Sequence, residues 1–503
     1  MVTATVMLGT MMNAIDTSIV NVALPYMRGS LGASIEEIAW VSTGFILANV
    51  IIMPIIALLS ARFGRRRFYF VSVLLFTVSS VLCGLARSLD LLILARVLQG
   101  IGGGAITPLS QAILRESFEP EDQGMAMGIF GLGVILGPAF GPTLGGWLTD
   151  HYSWPWIFYI NIPFGIVNLF MILRYLEDPP YLVRERQKID WPGLAFMVAG
   201  LGALQLMLEQ GQDKDWFNSD FIVGLAAIAV VGLGLFVWRE LTVERPAVDL
   251  RLLKNTTFAT GTVIAGALGM GMYASIFLLP MFLQQLLGYP AYNSGLVIMP
   301  RALAMAVAMP LGGRLYNSLG PRPLIAAGLA VSAAAFWQMT SLSLDTNPAS
   351  LLVPMIFQGF GLGLAFVAAS TAAMGNIDRA QMTAASGLYN VIRQVCGSFG
   401  IALSATLLTR GYITSRTYLM EHVAALDGTS AAWLEQLQRY LAGRGADAVS
   451  AKSQALGLLA RFVDQQAYML SYNRVYVFVS LLFVLTIPLV AVLRSAAKER
   501  PGK

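Results

Sequence analysis

The sequence predicts an all-α membrane protein: two six-helix bundles plus an extra two-helix hairpin, fourteen transmembrane helices in all. Three observations carry that prediction. Of 503 residues, 56% are hydrophobic and 12% charged, with mean hydropathy +0.67, where a soluble domain carries about 25% charged residues. Apolar segments of roughly 20 residues, the length that crosses a hydrocarbon core, recur between short polar loops. Lipid offers backbone groups no partner, so segments of that length are helices and not barrel strands. The third observation is an echo between the two halves of the chain.

The spans fall at about residues 4–26, 38–60, 68–87, 91–113, 124–148, 156–176 and 191–210, then 219–238, 257–283, 292–313, 323–343, 350–373, 382–409 and 473–494. The apolar run beginning at Met1 is too long for a cleaved signal and has no basic leader, so the first span is expected to remain as an anchor. Lys and Arg set the orientation. With the N-terminus cytoplasmic, inside loops and tail collect 20 of the 33, including Arg62, Arg65, Arg66, Arg67, Arg184, Arg186, Lys188, Arg245 and Arg494, against Arg28, Arg87 and Lys214 outside. Both termini are therefore expected in the cytoplasm. The net charge of +5 follows from this topology and gives no support to nucleic-acid binding, which needs a basic patch on a soluble face. Cys83 and Cys396 lie within spans and read as packing residues.

The halves correspond at an offset of roughly 256 residues, as expected of transporters built from repeats. Pro25 answers to Pro280, Pro54 to Pro310, Gly64 to Gly320, and Gln99-Gly100-Ile101-Gly102 to Gln358-Gly359-Phe360-Gly361. The expected units are residues 1–178, a first six-helix bundle; 179–256, basic linkers and the extra hairpin; and 257–503, a second bundle. The second bundle carries an insertion, 410–472, outside the membrane. Helical spacing of Trp433, Leu434, Leu437, Tyr440 and Leu441, then Leu456, Leu459, Phe462 and Val463, predicts one or two amphipathic helices there. A solvated loop and a partner-docking surface are equal alternatives for it.

Gly133, Gly137, Gly141 and Gly145 fall four apart on one face of the fifth span, interrupted by Pro138 and Pro142. Such a face lets another helix approach closely, and each proline removes a backbone donor and bends the helix. The expectation is a sealable, deformable interface between the halves; a plain packing seam is the alternative.

These residues resemble the antiporter signature of major facilitator superfamily exporters. Leu94 to Gly104, centred on Arg96, is similar to the family's fourth-helix motif. Ile15 to Pro25 is similar to the first-helix motif of its fourteen-span drug:proton antiporter branch, the EmrB/QacA branch. Arg62-Phe63-Gly64-Arg65-Arg66 falls at the cytoplasmic gating motif, with Ala57 and Ala61 where the pattern has glycine and aspartate. The resemblance covers essentially the whole chain. It implies the superfamily's fold, proton-coupled export of amphipathic drugs by alternating access, and gating roles for Arg62, Gly64, Arg65, Gly133, Gly137, Pro138, Gly141, Pro142 and Gly145. For members of three-part efflux systems it also implies a periplasmic adaptor and an outer-membrane channel as partners.

A charge at mid-membrane costs about 3 kcal/mol on insertion scales and marks function by default. Asp16, Arg96, Arg301 and Arg393 are the clear cases, with Glu209 near the outer end of the seventh span. Asp16 is the one central carboxylate. Burial favours its neutral form and a neighbouring Arg96 its charged form, so proton affinity can depend on whether the two meet. Asp16 and Arg96 are therefore the proton-coupling candidates, against a purely structural pair. His151 and His422 both fall in outside loops. Arg301, nearer the outer half of its span, could snorkel. Three buried arginines against one central acid suit neutral or weakly acidic amphipathic compounds better than dications. Asn21, Gln99, Tyr273, Gln284, Asn390 and Arg393 are the candidate substrate contacts, and methionines such as Met272, Met305 and Met309 suit variable ligands.

No phosphate-binding loop of the Walker type occurs, so the electrochemical gradient is the expected fuel, at about 2.3 kcal/mol per 100 mV for each proton. No cofactor, no metal and no enzymatic activity are expected, since no catalytic cluster lies at membrane depth. A nutrient uptake symporter is the alternative transporter reading. A membrane-bound enzyme or receptor is the alternative from another class.

Overall fold

The computed structural model describes residues 1–119, 121–178, 189–243, 246–424, 428–445 and 447–493. Arg184, Arg186, Lys188, Arg245 and Arg494, used above to orient the chain, lie outside these residues, as does most of the first linker. Among the described residues, fourteen helices are long and apolar enough to cross a membrane: span 1 Val2–Leu31, span 2 Ile35–Phe63, span 3 Arg65–Leu85, span 4 Leu89–Ser117, span 5 Gln123–His151, span 6 Trp156–Tyr175 and span 7 Trp191–Gln210. They continue as span 8 Asp220–Thr242, span 9 Thr256–Leu286, span 10 Asn293–Leu319, span 11 Pro321–Ser341, span 12 Ala349–Met374, span 13 Arg379–Glu421 and span 14 Ala448–Val492.

Local chemistry sets where they begin and bend. Ser34 and Glu37 form a reciprocal capping box at the start of span 2, satisfying amide donors that have no partner inside the helix. Pro54 interrupts span 2 as a 3-10 turn, Met53–Ile55. Gly64 and Gly320 both sit ahead of the following span at positive φ, 88° and 80°, a conformation that costs glycine little. The repeated glycines thus do the same job in each half.

The halves also pack alike. Span 1 lies on span 5 as span 9 lies on span 13; spans 2 and 3 flank span 4 as spans 10 and 11 flank span 12. Gly100 packs against the Phe45 carbonyl and its counterpart Gly359 against the Arg301 carbonyl. The two bundles meet along span 5 on span 10 and span 2 on span 13, related by the same repeat. Spans 7 and 8 form the extra hairpin, and span 7 lies against spans 2 and 13.

The spacings at Trp433–Leu441 and Leu456–Val463 fall on two helices, as expected, and the second of them is continuous with span 14. The helix of span 13 runs on to Ala424, a helix Gly428–Gly443 follows, and the helix of span 14 begins at Ala448. Tyr412 stacks on Tyr468 with ring centroids 4.0 Å apart, and Asp464 accepts from Tyr412 at 3.0 Å and Arg416 at 2.6 Å. These contacts tie the two long helices together. Below, the face of the protein bearing this hairpin is the extension face, and the opposite one the termini face.

Candidate functional site

Asp16 is fully buried in the first bundle, 0% exposed, and its two oxygens are shared among three donors. One accepts Arg96 Nη1 at 2.6 Å; the other accepts Gln99 Nε2 at 2.9 Å and Asn161 Nδ2 at 2.8 Å. Arg96 also donates to the Val41 carbonyl at 3.1 Å and to Gln99 Oε1 at 2.7 Å, with its guanidinium 4.1 Å over the Phe45 ring. Ser80 accepts from Gln99 and Asn161 and donates to the Phe158 carbonyl. Five spans, 1, 2, 3, 4 and 6, thus converge on one carboxylate. In so dry a place an ion pair is held only because its remaining hydrogen-bonding capacity is filled.

Arg96 and Gln99 lie one turn apart on span 4, so their meeting is a matter of helical spacing. Gln99 belongs to the Asp16 shell, away from any open surface. Asn161, Ser80 and Phe45 were not singled out from the sequence. Asn161 follows an aromatic run at the start of span 6, and a polar side chain there was its signal.

The glycine stripe faces a different partner from the one expected. Side chains at Gly133, Gly137, Gly141 and Gly145 would strike Met7, Ala14, Ser18 and Ile19 of span 1, in the same bundle. The expectation that this stripe forms the interface between the halves is therefore corrected. Residues four apart turn slowly around the helix, and this face turns inward, toward span 1. Gly124, Gly128 and Gly131, on another face of span 5, meet Gly313, Pro310 and Met309 of span 10 across the bundle boundary. Pro138 lies on the stripe helix, but its side chain is outside those described; Pro142 occupies the next turn.

Toward the termini face, spans 4 and 13 are tied across the boundary. Asn390 donates to Gln111 at 2.6 Å, Ser386 to the Pro108 carbonyl at 2.5 Å, and Arg115 to the Thr371 carbonyl of span 12. Arg393 donates to Asn390 at 3.2 Å and lies 5.6 Å from the Phe366 ring, with its Nε unpartnered and buried. Together with Leu268, Gly269, Met272, Met305, Leu362 and Phe366 it lines a cavity of about 10 Å³, room for a single water.

The other candidates are dispersed. Tyr273 donates to Gln394 at 2.8 Å and Gln284 to Ser294 at 3.4 Å. Asn21 accepts from Ser42 near the surface. Arg62 is exposed, whereas Arg65 is buried and paired with Glu116 of span 4. Arg301 does not snorkel: it is 8% exposed and points inward, donating to Ser275 at 2.6 Å.

Two pseudo-repeated helix bundles that meet along paired helices, one of them holding a buried acid–arginine pair, define a membrane transporter. A profile of the Major Facilitator Superfamily matches residues 6–401. The chain belongs to that family. It is 33% identical over 490 residues to the fatty acid resistance protein FarB of Neisseria gonorrhoeae, covering 97% of this chain and 95% of that one. It is 34% identical over 478 residues to the multidrug export protein EmrB of Haemophilus influenzae (95% and 92%) and 33% over 470 residues to that of Escherichia coli K12 (93% and 90%). The crystal structure of the human organic anion transporter MFSD10 (TETRAN) shares the fold, with TM-score 0.61 at 14% identity over 97% and 98% of the two chains.

Proposed function

We propose that this chain is a proton-coupled exporter of toxic amphipathic compounds that works by alternating access, with Asp16 and Arg96 as its coupling pair. The observation that carries the reading is the shell around Asp16. Its carboxylate takes donors from spans 4 and 6 of its own bundle, so movement of those spans makes or breaks the contacts that hold the buried charge. The names of the relatives, multidrug export proteins and a fatty acid resistance protein, support export as the direction.

Residues 1–178 and 257–503 are the two rocking units, joined through 179–256. The termini face is cytoplasmic and the membrane is the bacterial inner membrane. The ties Asn390–Gln111, Ser386–Pro108 and Arg115–Thr371 close the cytoplasmic side. Gly64, Arg65 and the span 5 glycines act in gating, the stripe by letting span 5 slide on span 1. Arg393, with Asn390 beside it and Met272, Met305 and Phe366 around it, is the substrate contact that the geometry favours. The extension hairpin is the docking place for a periplasmic adaptor, which would lead the drug to an outer-membrane channel.

Dye efflux from energised cells tests the reading. Export by the wild type should collapse with a protonophore and with Asp16→Asn. Efflux that survives both would overturn proton coupling. Crosslinking through residues 410–472 tests the adaptor; recovery of no partner from cells that contain one would leave a stand-alone pump.

A further inference from the structure

The repeat relates the Asp16 site to a second cluster in the other bundle, and one component has been exchanged. Gln99 and Gln358 correspond, and each reaches the first helix of its bundle: Gln99 at Asp16, and Gln358 at Ser275, one turn beyond the Gly271 that the Pro25–Pro280 offset sets opposite Asp16. The Ser275 hydroxyl donates to Gln358 Oε1 at 3.1 Å and accepts Arg301 Nη1 at 2.6 Å. The cation has changed helix: Arg96 projects from span 4 over Phe45 of span 2, while Arg301 occupies on span 10 the place that Phe45 holds on span 2. Glycines 100 and 359, packed on those two carbonyls, confirm the correspondence. The second bundle therefore keeps the buried cation and the glutamine but has a hydroxyl in place of the carboxylate. Among the described residues no acid pairs with Arg301.

A buried guanidinium demands a counter-charge. One helical turn from Ser275, Arg301 and Gln358 lie Met272, Met305 and Leu362, the apolar lining of the small cavity that ends at Phe366 and Arg393. The arrangement is thus a cation at the head of an apolar strip. We propose that Arg301, Ser275 and Gln358 form an anion seat that takes a carboxylate, the charged head of an amphipathic ligand whose apolar body lies along Met272, Met305, Leu362 and Phe366 once the cavity there, closed to a single water in the arrangement described, widens as the bundles part. The ligand supplies in the second bundle the negative charge that Asp16 supplies in the first. The nature of the apolar body rests on the exporter reading above; the charge of the head does not.

The test is ligand-dependent unfolding of the full-length protein in lipid nanodiscs, followed by tryptophan fluorescence, with octanoate, octan-1-ol and chloride as probes. Octanoate should raise the midpoint of the wild type and octan-1-ol should not. Arg301→Gln should weaken the octanoate response by about tenfold, the loss of a charge-assisted bond. Ser275→Asp rebuilds the first bundle's arrangement, so it should raise the midpoint without ligand and abolish the octanoate response; it keeps the test decisive if Arg301→Gln does not fold. If chloride reproduces the octanoate effect and depends on Arg301 equally, the seat takes a free anion; if chloride does nothing, it takes the amphipath's head. Equal octanoate and octan-1-ol shifts in the wild type and both variants would overturn the seat. Binding is read with no gradient present, so a protein that binds octanoate yet exports nothing would count against the exporter reading alone.

Discussion

The Asn161 amide of span 6 donates to the same Asp16 oxygen that Gln99 of span 4 occupies, at 2.8 and 2.9 Å. Spans 4 and 6 are thereby joined through a residue of span 1, and the ion pair with Arg96 sits inside a shell that is already complete. Removing one charge strands the other. Arg96→Gln and Asp16→Asn should each destabilise the protein by about 3–5 kcal/mol, the usual cost of an uncompensated buried charge. Their combination should cost far less than the two added together, because neither charge is then left alone. Unfolding of the four proteins of this double-mutant cycle checks it; additive losses would show that the two side chains do not act as a pair.

Gly137 has the Ala14 side chain 2.7 Å from where its own Cβ would be, whereas Gly146, nine residues on in the same helix, has nothing within 4 Å. Gly137→Ala should therefore force spans 1 and 5 apart and cost about 1–3 kcal/mol, the range for overpacking a tight contact. Gly146→Ala should be neutral or stabilise slightly, since alanine is the better helix former by about 1 kcal/mol. Thermal unfolding in detergent compares them. Equal effects would mean that helix propensity, not close approach, governs this span.

Hydropathy made the spans legible because one physical demand, an apolar helix of bilayer length, applies to each of them. The repeat was legible for a related reason: Gly64 and Gly320 are constrained by positive φ, and Gln99 and Gln358 by burial. Which face of span 5 meets which neighbour was not. A small-residue stripe reports close approach to some helix, and in Gly133–Gly145 the helix is span 1 of the same bundle, while the less regular Gly124, Gly128 and Gly131 meet the other. Asp16 and Arg96 could be paired from their depth alone, but Asn161 and Ser80 are short polar side chains in apolar runs, and only the packing of five helices brings them together. Arg301 likewise reads as a snorkelling cation until Ser275 is seen beneath it.

Asn390 and Gln111, 2.6 Å apart, tie span 13 to span 4 at the termini face. Asn390→Ala removes this bond and leaves Gln111 without its partner across the boundary, which should loosen the closed arrangement by about 1 kcal/mol, or about fivefold in the population that opens at this face. A cysteine placed at Thr371, on a protein with Cys83 and Cys396 replaced by serine, reports it. Alkylation by a membrane-impermeant maleimide added at the termini face should rise about fivefold in Asn390→Ala. An unchanged rate would assign closure to the span 5–span 10 seam instead.

Asp190, just ahead of span 7, pairs with Arg239 of span 8 at 3.1 Å and clamps the base of the extra hairpin. The hydrogen bond from Arg239 holds its carboxyl below the ordinary aspartate value, against the opposing effect of burial. A group whose folded value is depressed stabilises the folded state above its unfolded value and loses that contribution as pH falls through the folded one. The clamp should be at full strength at neutral pH and fail only in acid, below the ordinary aspartate range. Asp190→Asn should accordingly lower the unfolding midpoint at neutral pH, and the gap to the wild type should close as the solution is acidified toward and through that range. The comparison needs only paired unfolding curves across pH. A gap that stays constant from neutral to acid conditions would mean that Asp190 contributes by shape and not by charge.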